Sequence, residues 1–332
     1  MTDLSDTARS LFAPGKGILA ADESAHTADA RLTLYGIPAS EEMRREMREL
    51  FLGTPGIEEF LSGVILFTET LSQKADSGET FPELLQTHGV LPGIKVDEGT
   101  EPFPESPEEV ITKGLLTLPA RLVGYRDTYG AKFTKWRSVV RIEGDRLPTA
   151  QALVENAKRL ALYARAVQEA GLVPIVEPEV LLAGTHSRVR SRQVLEATLT
   201  TVMEALADQS VDLSGVVLKT AMALSGSDSG RTDTPDEVAE DTVETLLAVV
   251  PNTLAGIVFL SGGQTPDQAT ANLAAITKYA RAKRAPWPIT YSYARAIQEE
   301  ALQLWKGEKD NLAKARAAYL LRLVKVTKAL SL

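Results

Sequence analysis

Short apolar runs recur along the chain, separated by longer stretches with helical periodicity. The runs are GILAADE from Gly17, GVILFTE from Gly63, GIKVDEG from Gly93, FTKWRSVV from Phe133, VPIVEPEV from Val173, GVVLKTAM from Gly215, GIVFLSGG from Gly256 and PITYSYAR from Pro288. Their starts lie roughly 30 to 45 residues apart. Runs apolar on both faces suit strands buried in a parallel sheet between crossover helices. Helix starts are marked by a capping residue, a proline and an acid or amide at Ser106-Pro107-Glu108-Glu109, Thr234-Pro235-Asp236-Glu237 and Thr265-Pro266-Asp267-Gln268. The stretch 150–170 keeps Leu153, Ala157, Leu160, Ala161 and Ala164 on one stripe and ends at Gly171, just before the run at Val173. Repeated strand-and-helix units without a Ser/Gly linker predict an α/β protein, a single (β/α)8 TIM-type barrel over 1–332. A helical extension over 1–16 and a C-terminal helix over 308–332 flank it. Residues 225–230 read as a mobile loop after the sixth strand.

Composition narrows the chemistry. The hydrophobic share of 44% supports a large core, and 36 Lys and Arg against 44 Asp and Glu leave a net charge of −8. Without a long basic run, a nucleic-acid partner is not expected. There is no cysteine, which removes disulfides, thiolate catalysis and sulfur-ligated metals. His26, His88 and His186 are too scattered for a local metal-ligand spacing, so no metal is expected. No signal peptide or membrane-length apolar run is present, and a cytoplasmic location without membrane partners is the expectation.

Charges gather at the C-terminal ends of the strands, where barrel active sites assemble. Asp22 closes the first, Lys95 and Asp97 lie in the third, Lys135 and Arg137 in the fourth, Glu177 and Glu179 in the fifth, and Lys219 ends the sixth. Residues two apart on a strand face the same side, and a charge aimed at apolar helices costs several kcal/mol, so these pairs are expected to point inward. Trp136, between two inward charges, is then expected among the helices. A strand-end lysine is more often half of an ion pair than a nucleophile. Lys219, however, follows Val216, Val217 and Leu218, with two acids on the next strand and Lys135 two strands away. Burial near another cation favours the neutral amine, which attacks carbonyls; a carboxylate such as Glu177 then shuttles protons.

The last two units suggest the counterpart. Ser261-Gly262-Gly263 ends the seventh strand, and Ser292, Ala294 and Arg295 follow the eighth, where barrel enzymes often hold phosphate. Arg137, Arg31 and the hydroxyls of Ser24 and Thr27 are candidates for a second phosphate. Pro14-Gly15-Lys16-Gly17 lacks the upstream glycine and following Ser/Thr of a nucleotide loop. His26 reads as a solvated loop residue, His88 and His186 as loop or helix-edge residues, and the run Glu41 to Glu49 as a solvated helix face.

GKGILAADES, GVILFTETLSQKADSG, GIKVDEGT, AKFTKWRSV, VPIVEPEVL, FLSGGQ and YSYARAIQ, in order from Gly15 to about Gln303, closely resemble the strand motifs of class I fructose-bisphosphate aldolases. The resemblance implies metal-independent, reversible cleavage of fructose 1,6-bisphosphate in glycolysis and gluconeogenesis, with no cofactor beyond a covalent Schiff base on Lys219. Fructose 1-phosphate, a seven-carbon bisphosphate, or sugar-phosphate binding with weakened turnover are alternatives. It implies Glu177 as the main acid/base, Glu179 and Lys135 as residues that orient and tune the lysine, and Asp22 at the carbon–carbon bond. Lys95 and Arg137 would face the substrate. Ser261, Gly262 and Arg295 would hold the ketone-half phosphate, and Ser24, Thr27 and Arg31 the other. The family is often tetrameric, so a homo-oligomer is a possible partner state. This chain departs from the pattern at Thr220-Ala221, where Pro-Asn is usual, at Ala294 in place of glycine, and at the C-terminus, which ends Ser331-Leu332 instead of extending to a tyrosine tail.

Overall fold

A computed structural model describes residues 4–331; the first three residues of the expected N-terminal extension, and Leu332 of the C-terminal helix, lie outside the described residues. The strands are β1 (Gly17–Ala21), β2 (Leu61–Leu66), β3 (Leu91–Lys95), β4 (Thr100–Phe103), β5 (Ser106–Thr112), β6 (Phe133–Val140), β7 (Val173–Val180), β8 (Val217–Thr220), β9 (Gly256–Phe259) and β10 (Ile289–Tyr293). Eight of them close a parallel barrel in the order β1-β2-β3-β6-β7-β8-β9-β10, and β10 returns to β1 with Ile18 opposite Ser292. Each of the eight apolar runs supplies one barrel strand. The flanking helices occur at Leu4–Ser10 and Leu312–Ala329.

The remaining pair, β4 and β5, is an antiparallel hairpin, and it corrects one expectation: Ser106-Pro107-Glu108-Glu109 begins a strand instead of a helix. Phe103 and Ile111 of the hairpin bury themselves with Ala152. Glu109, read from sequence as the third residue of a capped helix, instead accepts from the Thr149 N–H at 3.0 Å and the Thr149 hydroxyl at 2.6 Å. Tertiary pairing overrides a good local capping pattern. At Thr234 and Thr265 no such competition exists, and both threonines cap helices, Pro235–Val249 and Pro266–Ala282.

Large rings fill the end of the barrel opposite the strand C-termini, and glycines make room for them. A Cβ on Gly256 would lie 2.3 Å from the Phe12 ring, and one on Gly93 would lie 2.2 Å from the Phe133 ring. Leu11, Phe133, Val173, Val217 and Val258 belong to one buried cluster against which Phe12 packs. Because a methyl group cannot be seated there without displacing an aromatic side chain, Gly256→Ala should destabilise the protein by about 1–3 kcal/mol. Thermal unfolding of the variant checks this, with a midpoint several degrees lower.

Two further expectations are overturned. Residues 225–230 are pinned to the loop after β7: the N–H groups of Gly226, Ser227 and Asp228 donate to the carbonyls of His186, Leu182 and Gly184 at 2.8, 2.8 and 2.9 Å. Asp233 also accepts from the Ser225 N–H and hydroxyl. The loop therefore has a defined shape set by backbone pairing that a Ser/Gly-rich sequence does not reveal. The run Glu41 to Glu49 lies on the helix Glu41–Leu52 but is not simply solvated. Arg48 is buried against Glu69 and Gln73, Arg44 binds Glu69 and Asp29, and buried Glu49 binds Arg316. Among the described residues no helix is long and apolar enough to cross a membrane.

Candidate active site

One cavity of about 1150 Å³ opens at the C-terminal ends of the barrel strands. The thirteen residues to which the resemblance gives a catalytic or substrate-binding role all line it: Asp22, Ser24, Thr27, Arg31, Lys95, Lys135, Arg137, Glu177, Glu179, Lys219, Ser261, Gly262 and Arg295. Strand alternation explains the convergence. Lys135 and Arg137 share the inner side of β6, while Trp136 between them is fully buried outward and stacks on Tyr163 of the helix Ala150–Glu169 at 5.4 Å. Register brings the charges level across strands, with Lys95 opposite Lys135 and Arg137 opposite Glu177.

The centre is a chain of buried charges. Lys219 Nζ lies 2.9 Å from Glu177 Oε1, Lys135 Nζ lies 3.0 Å from Glu177 Oε2, and Lys135 Nζ lies 2.6 Å from Asp22 Oδ2. Lys219, Glu177 and Lys135 are 4%, 3% and 3% exposed, so these contacts act in a medium that screens them far less than water does. The Lys135–Glu177 contact is an ion pair without the angle of a hydrogen bond, leaving Glu177 Oε2 free to accept from a ligand. Burial works against the charge on Lys135, but Asp22, Glu177 and Asp97 outweigh it and hold the ammonium well above its ordinary range. Burial likewise opposes ionisation of Glu177, yet Lys135, Lys219 and Arg137 hold its carboxyl well below the usual carboxylate range. Glu177 is thus an ionised base at neutral pH, within reach of the Lys219 amine.

Around this centre the remaining charges are braced. Asp97 accepts from Lys95 Nζ at 2.5 Å, from the Gly99 N–H at 3.3 Å and from the Arg137 N–H at 3.3 Å, which joins β3 to β6. Glu179 takes the Arg137 Nε at 2.5 Å. Among the described residues Lys219 pairs with Glu177 and forms no ion pair with Glu179. Arg31 is buried, with Nη1 held by Glu23 and Gln298 at 2.5 Å each, while its Nε and Nη2 have no hydrogen-bond partner among the described residues. Ser24 caps the helix Ala25–Leu34, accepting from the Thr27 N–H, and the Ser24 and Thr27 hydroxyls lie 3.0 Å apart. Glu23 and Gln298 went unnoticed in the sequence: Glu23 follows Asp22 at the end of the first run and Gln298 lies 267 residues from Arg31, and only the fold shows that both grip its guanidinium.

Beside them, Ser261-Gly262-Gly263 follows β9, and the helix Arg295–Trp305 follows β10, the strand next to β1. Arg295 Nη2 is 3.7 Å from where a Gly263 Cβ would be, and Arg295 is exposed with no ion pair or hydrogen bond among the described residues. A glycine turn with an unpaired guanidinium at its side is suited to an oxyanion. The departures at Thr220 and Ala294 leave this frame intact. The Thr220 carbonyl accepts from Leu260 N–H at 3.0 Å, and β8 stays in register with Lys219 opposite Val258. None of the three histidines lines the cavity: His26 and His88 are exposed, and His186 is buried behind the glycine turn, its imidazole pushed down by burial and by Arg190. Among the described residues no group of three or more His, Cys, Asp or Glu is arranged to hold a metal.

Comparison with known proteins gives consistent matches. The family description "Fructose-bisphosphate aldolase class-I" matches residues 3–331. A "Probable fructose-bisphosphate aldolase class 1" of Xylella fastidiosa is 46% identical over 314 residues, 94% of this chain and 92% of that one. "Fructose-bisphosphate aldolase 5, cytosolic" of Arabidopsis thaliana is 46% identical over 320 residues, covering 96% and 88%. The solved structure of the Plasmodium falciparum fructose-bisphosphate aldolase, in complex with TRAP and a small-molecule inhibitor, superposes with a TM-score of 0.95 at 41% identity, covering 98% and 93%.

Proposed function

The chain belongs to the class I fructose-bisphosphate aldolase family, and on that footing we propose that it cleaves fructose 1,6-bisphosphate reversibly into dihydroxyacetone phosphate and glyceraldehyde 3-phosphate through an imine on Lys219. The observation that carries the reading is the buried Lys219–Glu177–Lys135–Asp22 chain on the cavity floor. Glu177 takes a proton from the Lys219 ammonium, freeing the amine to attack the ketone carbon. The carbinolamine then loses its hydroxyl as water, the proton coming back from Glu177, to give the iminium. That cation draws the electrons of the adjacent carbon–carbon bond as it breaks, while Asp22 takes the proton of the departing half's hydroxyl. The resulting enamine takes on carbon the proton held by Asp22, and water hydrolyses the imine to return the Lys219 amine and the ketone. Lys135 pairs with both Asp22 and Glu177 and sits between the two carboxylates. Lys95 and Arg137 face the substrate hydroxyls.

The two ends of the sugar divide between two phosphate sites on neighbouring units of the barrel. Ser261, Gly262 and Arg295 hold the ketone-half phosphate; Ser24, Thr27 and Arg31 lie toward the other. Arg295→Ala removes a charge-assisted donor worth about 1.5–3 kcal/mol, so KM for fructose 1,6-bisphosphate should rise roughly 10- to 100-fold while kcat changes less. Steady-state kinetics checks this. We infer action in the cytosol, in accord with the cytosolic Arabidopsis relative, and need for no metal. Cleavage measured as triose phosphate release in excess EDTA tests the reading: an undiminished rate is expected, and loss of cleavage would contradict it.

A further inference from the structure

We infer that Gln264, which touches no substrate, is the positioning residue that sets the phosphate-binding turn, and so determines how tightly the ketone-half phosphate is gripped. The inference rests on the proposed function above. The Ser261 carbonyl accepts two hydrogen bonds from this one residue, from its backbone N–H at 3.0 Å and from its side-chain Nε2 at 3.0 Å. A trans peptide points its N–H opposite to its carbonyl, so fixing the Ser261 oxygen toward Gln264 aims the Gly262 N–H the other way. Gly262 lines the cavity, and neither it nor Gly263 has an N–H partner among the described residues. Both have positive φ, +57° and +96°, a conformation that costs little for glycine but leaves the turn free to flip unless something holds it.

What holds it is buried and braced in turn. Gln264 is 6% exposed, and its Oε1 accepts from Asn272 Nδ2 at 2.7 Å; Asn272 is 1% exposed on the helix Pro266–Ala282. The amide orientation is therefore set: Asn272 donates to the oxygen, so the nitrogen faces the Ser261 carbonyl. Gln264 Nε2 also lies 3.5 Å from Met222 Sδ, in the segment after Lys219. Gln264 thus joins the phosphate turn to Asn272 on the helix Pro266–Ala282 and to the segment that follows the nucleophile's strand. Donors preorganised toward an oxyanion lose their advantage when the backbone that aims them can rotate.

The test uses Gln264→Met, which keeps length and neutrality but removes the side-chain donor, leaving the Ser261 carbonyl only the backbone N–H of residue 264. Half-saturation for borohydride inactivation is measured with dihydroxyacetone phosphate and with phosphate-free dihydroxyacetone, alongside steady-state cleavage. The expected result is a rise of about tenfold in half-saturation and KM for the phosphorylated ketone, with dihydroxyacetone and kcat nearly unmoved. Equal changes for both ketones, or none, in a variant with wild-type circular dichroism would overturn the inference while leaving the aldolase reading in place. Absence of any borohydride inactivation in the wild-type protein would instead overturn the aldolase reading itself. If Gln264→Met does not fold, Asn272→Leu, which removes the brace and spares Gln264, decides the matter by the same ratio.

Discussion

Lys219→Met is expected to lose cleavage by about 10⁴-fold or more and to form no covalent adduct, while remaining folded. Lys219 sits at the end of β8, 4% exposed, and among the described residues its Nζ makes an ion pair with Glu177 alone. Methionine fills similar volume and removes one buried charge, and Lys135 remains as counter-charge to Glu177. The variant therefore separates nucleophile from scaffold. Initial rates together with circular dichroism check it, and a folded variant retaining more than about one-hundredth of wild-type activity would rule out Lys219 as the imine-forming residue.

Glu177→Gln is the second large effect. General acid–base catalysis contributes typically about 10²–10⁴-fold, and kcat should fall within that range, because an amide can neither accept the ammonium proton of Lys219 nor return one to the departing hydroxyl. The same residue predicts a pH effect on stability. Its folded carboxyl is held below the ordinary 4.5 by Lys135, Lys219 and Arg137 despite burial. A depressed carboxyl stabilises the fold above its unfolded pKa, and that contribution is lost as pH falls through the folded value. Denaturant titrations at stepped pH should accordingly show the wild-type advantage over Glu177→Gln shrinking from about pH 4.5 downward. An advantage that stayed constant into strong acid would mean that Glu177 is not held ionised by its neighbours.

The barrel was legible because every strand appeared as an apolar run and most carried a polar residue that closed it. Lys95, Lys135, Arg137, Glu177 and Lys219 were readable as one site because i, i+2 alternation forces them inward and register makes them level. Legibility failed where the outcome depends on contacts remote in sequence. Ser106 carries a helix signal that the hairpin overrules, and Gly226 to Asp228 look loose until the 182–186 segment pairs with them. Similarly, Arg44, Arg48 and Glu49 look solvated until Asp29, Glu69 and Arg316 close over them. Supporting residues were the hardest to foresee. Gln298 and Gln264 are amides on ordinary polar positions, and their functional weight comes only from the Arg31 guanidinium and the Ser261 carbonyl that they hold. Even the glycine pair is informative chiefly because Arg295, from a different unit, stands unpaired beside it.

The central claim is a covalent bond between one lysine and a ketone. Incubation with dihydroxyacetone phosphate, reduction with borohydride and peptide mapping by mass spectrometry tests it most directly. The account predicts stoichiometric modification of Lys219, absent without the ketone; no adduct, or an adduct on a different lysine such as Lys95 or Lys135, would contradict it.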